Sequence, residues 1–210
     1  MSFNIGGRRG TYFFAGTKVK DADGKVTGYK IGTKELSTVT VTDKSLQLME
    51  HISTKIDYDD SGNIKLDFKH YQTTPGFRAF LKQVARPSAS SSKRKDYVLI
   101  DGTEHKGAAS SDTCVFIITY LLFDNDDSAT TIQTIAALGS ISPTSGSMEV
   151  SGDNESSPTF VFESFASDVD ITIPSAMFDA DLVTVPTNAA IAKGASYWED
   201  DVAVKAITPP

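Results

Sequence analysis

Apolar and polar positions alternate most clearly between residues 52 and 68. Ile52, Thr54, Ile56 and Tyr58 fall on one side of a period of two, with Ser53, Lys55 and Asp57 on the other. After Asp59-Asp60-Ser61-Gly62-Asn63 the alternation resumes, with Ile64, Leu66 and Phe68 set against Lys65, Asp67 and Lys69. Two half-buried strands joined by a Gly-containing turn predict a β-hairpin. The period then changes. Thr74 suits a helix N-cap and Pro75 the first turn, where a missing N–H costs nothing. Phe77, Phe80, Leu81 and Val84 follow at i, i+3, i+4 and i+7, so the spacing predicts a short helix ended by Arg86-Pro87.

The same reading extends along the chain. Thr11 to Lys20 and Lys25 to Ile31 flank the turn Asp21-Ala22-Asp23-Gly24 and predict a first hairpin. Leu36 to Thr42 alternates as a strand with β-branched threonines on one side, whereas Ser45 to Glu50 fits a strand or a helical turn. Tyr97 to Ile100 and Thr113 to Phe123 read as strands, the second nearly continuous in apolar residues and therefore central. Asp124 to Ser128 reads as a stop. Ile132, Ile135, Ala136 and Leu138 then predict a second short helix, with Gly139 just past its end. Beyond it come strands at 147–151, at 159–165, at 169–173 with Asp168 and Asp170 pointing away from the core, and at 197–207. The expectation is a mainly β chain, sandwich-like or barrel-like, with about ten short strands and one or two short flanking helices. Residues 1–10 read as a flexible arm and 11–210 as a single domain, a common size for one.

Composition narrows the chemistry. A single cysteine, Cys114, excludes an internal disulfide framework and fits a reducing compartment; its apolar neighbours predict a buried, inert thiol. The first ten residues lack an apolar core of signal-peptide length, and the longest apolar stretch is too short to span a bilayer, so a soluble cytosolic product is expected. The net charge of −7 is unevenly spread. Residues 1–95 carry 17 Lys/Arg against 9 Asp/Glu, and residues 96–210 carry 3 against 18, nets of +8 and −15. Either the halves present opposed surfaces on which copies dock, or the fold interleaves them and mixes the charges. His51, His70 and His105 have no metal-ligand spacing, and the chain has no GxSxG elbow, phosphate-cradling loop or dinucleotide fingerprint. Asp57-x-Asp59-x-Ser61-Gly62-x-Ile64 imitates the start of an EF-hand loop. Phe68 stands where the bidentate Glu belongs, so turn chemistry is the better account. No cofactor or metal is expected, and an enzyme ranks last among the function classes.

The 52–68 hairpin running into Thr74-Pro75-Gly76-Phe77-Arg78-Ala79-Phe80-Leu81, the Ser/Lys-rich loop after it and the acidic, strand-rich second half together resemble the major tail proteins of long-tailed bacteriophages. The resemblance implies a structural protomer of the virion tail, made in the host cytoplasm, whose hexameric rings stack into a tube. Its partners would be further copies, other tail proteins and double-stranded DNA that passes without specific binding, with no membrane. Such lumens are acidic, since phosphates that meet no Lys or Arg release no counterions and do not stick. Asp168 and Asp170 are then the candidates to face the channel, and Arg8, Arg9, Lys93, Arg94 and Lys95 the candidates for contacts between subunits. The other class left open is a binding module, a virion decoration or adhesion domain or a carbohydrate-binding sandwich with Tyr197-Trp198 as a sugar platform.

Overall fold

A computed structural model describes residues 10–31, 34–35, 49–50, 55–69, 85–87, 98–100, 103–108, 111–121, 130–145 and 159–205. The chain is mainly β. The largest unit is a 10-stranded antiparallel sheet. Its path runs β3 (Lys34–Glu35), β2 (Val26–Ile31), β1 (Gly10–Lys20), β10 (Thr113–Leu121), β11 (Thr131–Ser145), β12 (Thr159–Ser164), β6 (Ile64–Lys69), β5 (Lys55–Tyr58). β4 (Met49–Glu50) joins the free end of β1, and β15 (Tyr197–Ala203) joins β11. A separate sheet has the order β7 (Ala85–Pro87), β9 (Thr103–Ala108), β8 (Val98–Ile100), and β13 (Ile171–Thr172) pairs with β14 (Ala190–Ile191).

Both predicted hairpins form, and their turns share one design. In each, an aspartate side chain stands in for the missing ladder. Asp59 Oδ1 accepts the N–H groups of Ser61 (2.9 Å) and Asn63 (2.8 Å), and Asp21 Oδ1 accepts those of Asp23 (3.0 Å) and Lys25 (2.8 Å). Gly62 and Gly24 take the positive φ, 76° and 80°, that each turn needs. The EF-hand-like string is thus a turn whose Asp59 carboxylate is already occupied by its own backbone.

The second predicted helix is absent: Ile132, Ile135, Ala136 and Leu138 lie in β11, the longest strand described, at 15 residues. From Thr134 to Gly139 both faces of β11 are buried, so it carries no alternation to read, and its apolar positions imitate a helical spacing. Gly139 is a close-approach residue of this strand: a Cβ there would lie 2.2 Å from the Glu163 carbonyl oxygen and 2.6 Å from Phe162 Cζ. The strand expected at 169–173 is reduced to β13, with Asp168 and Asp170 on the irregular segment before it. The expected last strand ends at Ala203. The helix over 74–84, the strands at 36–42 and 147–151, and the arm 1–9 lie outside the described residues. Among those described, the only helical element is a 3-10 turn, Ser175–Met177, and no helix is long and apolar enough to cross a membrane.

The core lies on both faces of β1, β10 and β11. On one face the rows Tyr12–Ile118–Ala136 and Phe14–Phe116–Leu138 cross the three strands; on the other, Phe13–Ile117–Ala137 does. All of these side chains are buried. Phe13, Phe14, Phe162 and Phe178 are fully enclosed, which stabilises the fold by about 1.5–3 kcal/mol apiece. Segment 165–196 covers the first face. Tyr12 donates to the Asp179 carboxylate, the Asp179 N–H donates to Tyr120 Oη at 2.7 Å, and Phe178 packs edge-on to Trp198 at 5.7 Å. Cys114 is fully buried beside Gly16, and burial pushes its thiol up to about 12, as expected of an inert thiol.

The fold interleaves the two halves of the chain. β1 of the basic half pairs with β10 of the acidic half, and β6 with β12. Lys18 reaches Asp168 at 3.6 Å and Lys20 pairs with Asp112, whose carboxyl the lysine holds below its ordinary value. At these contacts the charges mix.

Candidate functional site

The central sheet forks at Leu138. Up to Ala137 the edge of β11 pairs with β15, and from Gly139 the same edge pairs with β12. Leu138 serves both branches: its N–H donates to the Ser196 carbonyl (3.1 Å), and its own carbonyl accepts the Phe165 N–H (2.9 Å). Two strands leaving one edge must diverge, and the hairpin carried by β12 reaches across the opening. The Ile64 N–H donates to the buried Ser164 hydroxyl at 2.7 Å, which fixes the start of β6 against the end of β12. Turn 59–63 is thereby held opposite β15.

Between the branches lies an open groove of about 790 Å³, lined by Ser61 and Asn63 of the turn and by Gln133, Tyr197, Glu199 and Asp200, among others. Its lining is mostly polar and acidic. Glu199 organises one wall by accepting from Gln133 Nε2 and, at 3.5 Å, from the Tyr58 hydroxyl. The rings of Tyr58 and Tyr197 stand 6.0 Å apart, tilted by 55°. Tyr58 is 50% exposed, the one large hydrophobic side chain among the described residues left so open to solvent. Partial burial first, and then the Glu199 carboxylate, raise its hydroxyl above the ordinary tyrosine value, so it stays a neutral donor at physiological pH.

Sequence reasoning missed this assembly. The acidic run Glu199-Asp200-Asp201 was in plain view, but its partner Gln133 sat in a segment read as helix, and Tyr58 was assigned to the apolar side of a hairpin. The Tyr197-Trp198 platform does not form as a unit, because neighbouring side chains on a strand point to opposite faces. Tyr197 turns to Tyr58, whereas Trp198 packs against Phe178 in the core.

The two carboxylates proposed for a channel are exposed and engaged locally. Asp168 pairs with Lys18, whose ammonium also sits 4.7 Å over the Phe165 ring. Asp170 Oδ1 accepts the Lys193 N–H at 2.8 Å. Arg8, Arg9, Lys93, Arg94 and Lys95 lie outside the described residues, as do His51 and His70. Among the described residues no group of His, Cys, Asp and Glu is arranged to hold a metal ion. No family model, curated protein or solved structure matches the chain.

Proposed function

We propose that the chain is a structural protomer of a bacteriophage tail tube, a protein that self-assembles into stacked hexameric rings around a channel for DNA. The observation that carries this reading is the distribution of charge over the fold. The broad antiparallel sheet spends its apolar side chains on a two-faced core, and segment 165–205 leaves Asp168, Asp170, Glu199, Asp200 and Asp201 exposed at its surface. Repeated around a ring, carboxylates of this kind make a surface to which DNA phosphates have no cationic partner to bind. The remaining partners on this reading are other tail proteins, and the protein's place is the virion tail.

The groove beside Tyr58 favours a second reading, a virion decoration or adhesion module that binds a carbohydrate. An exposed tyrosine ring offers a stacking face to sugar C–H groups, and Glu199, Gln133 and Asn63 offer hydrogen bonds to hydroxyls. Electron microscopy of the purified protein, with sedimentation at the same concentration, separates the two. Rings or tubes are expected. Monodisperse monomer that binds an oligosaccharide would replace the tube reading with the module.

A further inference from the structure

The two edges of β15 are paired unequally. One edge of β15 pairs with β11 throughout. On the other, the bonds made are Thr184 N–H to the Ala203 carbonyl (2.8 Å) and Lys205 N–H to the Leu182 carbonyl (2.9 Å), which flank the Val183–Val204 bridge, and both lie beyond Val202. Among the described residues, no strand is hydrogen-bonded beside this edge from Tyr197 to Val202. Such an edge is a template for an added strand, and side-chain charge selects what is added.

The charge here is acidic, and part of it is unspent. Glu199 is engaged by Gln133 and Tyr58, but the side chains of Asp200 and Asp201 make no hydrogen bond or ion pair to another described residue. Both line the groove: Asp201 lies on the face of β15 that carries Tyr197, which packs beside the exposed Tyr58, and Asp200 lies on the opposite face. A carboxylate fits a guanidinium, which binds it through a planar fork, and an open ring such as that of Tyr58 offers the same group a face to stack on.

We infer that this groove receives an arginine-bearing segment of a second copy of this chain, Gly6-Gly7-Arg8-Arg9, which immediately precedes β1. The inference rests on the self-assembly reading above. The segment holds the only consecutive arginines in the sequence. Consecutive residues of an added strand point to opposite faces, as do Asp200 and Asp201 on β15, so each arginine meets one aspartate. The contact joins unlike surfaces of two copies. It is therefore heterologous and extends head to tail.

A charge swap tests it. Asp200→Lys with Asp201→Lys in one chain, and Arg8→Glu with Arg9→Glu in another, are studied by sedimentation velocity alone and mixed, with circular dichroism to follow folding. Each variant alone should associate at least about tenfold more weakly than wild type, the scale for reversing two exposed pairs. The equimolar mixture should recover association. If the aspartate variant does not fold, Asp200→Asn with Asp201→Asn is measured instead and should weaken association in the same direction. Wild-type association by a folded aspartate variant overturns the docking site and leaves self-assembly standing. A wild-type protein that remains monomeric overturns both. Loss on reversing Lys93, Arg94 and Lys95, with none on reversing Arg8 and Arg9, overturns the choice of segment. A lower melting temperature with unchanged association means occupancy within one copy, and that also overturns the inference.

Discussion

Single atoms decide several positions in this fold. Gly139 stands where β11 passes from one branch to the other, and no side chain fits between it and the Glu163 carbonyl. Gly139→Ala should destabilise the protein by about 3 kcal/mol or more, the upper end of overpacking costs, because the obstacle is backbone and cannot swing aside. Urea denaturation would check this, and a wild-type midpoint would mean that the strands separate there without cost. The buried hydroxyls and thiol set an alkaline limit. Burial raises Tyr12, Tyr120 and Cys114 above their ordinary values of 10.0, 10.0 and 9.0, with the Asp179 carboxylate adding to the effect on Tyr12. Each folded-state value is higher than the unfolded one, so its contribution is complete below the unfolded value and is lost as pH climbs above it. Stability should start to fall near pH 9, by up to about 1.4 kcal/mol per pH unit for each of Cys114 and Tyr120 once its own unfolded value is passed. Thiol-reagent labelling at pH 9 should therefore track unfolding. Rapid labelling of the native state would mean that Cys114 is not enclosed.

At the scale of elements, the sequence was legible where a strand has one wet face and opaque where it has none. The 55–69 hairpin announced itself because polar and apolar side chains alternate and Asp59, Gly62 and Asn63 mark the turn. β11 did not, because a strand flanked by β10, β12 and β15 and covered on both faces needs apolar residues everywhere, and Ile-Ala-Ala-Leu suits a helix as well as a strand. The fork at Leu138 was invisible for a further reason: its hydrogen bonds are backbone groups of residues 138, 165 and 196, which carry no side-chain signature. The groove depends on that fork, so it was hidden too. Turn 59–63 gives a direct test of how the groove is held. Asp59→Ala removes the acceptor for three N–H groups, of Ser61, Asn63 and the Asn63 side-chain amide. Faster hydrogen exchange in residues 55–69 is expected, together with increased quenching of Tyr58. The same contacts hold the Asp59 carboxyl below its ordinary value, so they are present above that value and are lost as pH falls through the lowered one. Unchanged exchange would show that pairing with β12 alone fixes the hairpin.

At the scale of the whole molecule, the opposed charges of the two halves are partly paired within the fold, and this bears on the proposed channel. Asp168 is not a free carboxylate, since replacing it with lysine would set one ammonium against Lys18, now 3.6 Å from the Asp168 carboxylate. Like charges at that range repel, and the loop 165–170, whose Ser167 hydroxyl and Asp168 N–H reach the Tyr29 hydroxyl, would move with them. Loss of assembly in such a variant would report on the loop as much as on any lumen. Asp170 is the cleaner probe. Its bond is to the Lys193 backbone N–H, which an asparagine oxygen can still accept, so Asp170→Asn removes charge and keeps the turn. If the proposed ring holds Asp170 toward its channel, each ring loses as many negative charges as it has subunits and the turn stays intact. Mutual repulsion among those carboxylates then weakens, acting over a Debye length of about 8 Å at physiological ionic strength, and assembly should need less salt. DNA passage, measured as ejection from assembled virions, should slow as the repulsive lining is thinned. Salt separates this effect from the groove: screening weakens an Asp200–Arg contact between copies but relieves repulsion at Asp170. The expected pattern is assembly of the Asp170→Asn variant that tolerates low salt better than wild type, with slower ejection. A salt profile and an ejection rate identical to wild type would remove Asp170 from the channel.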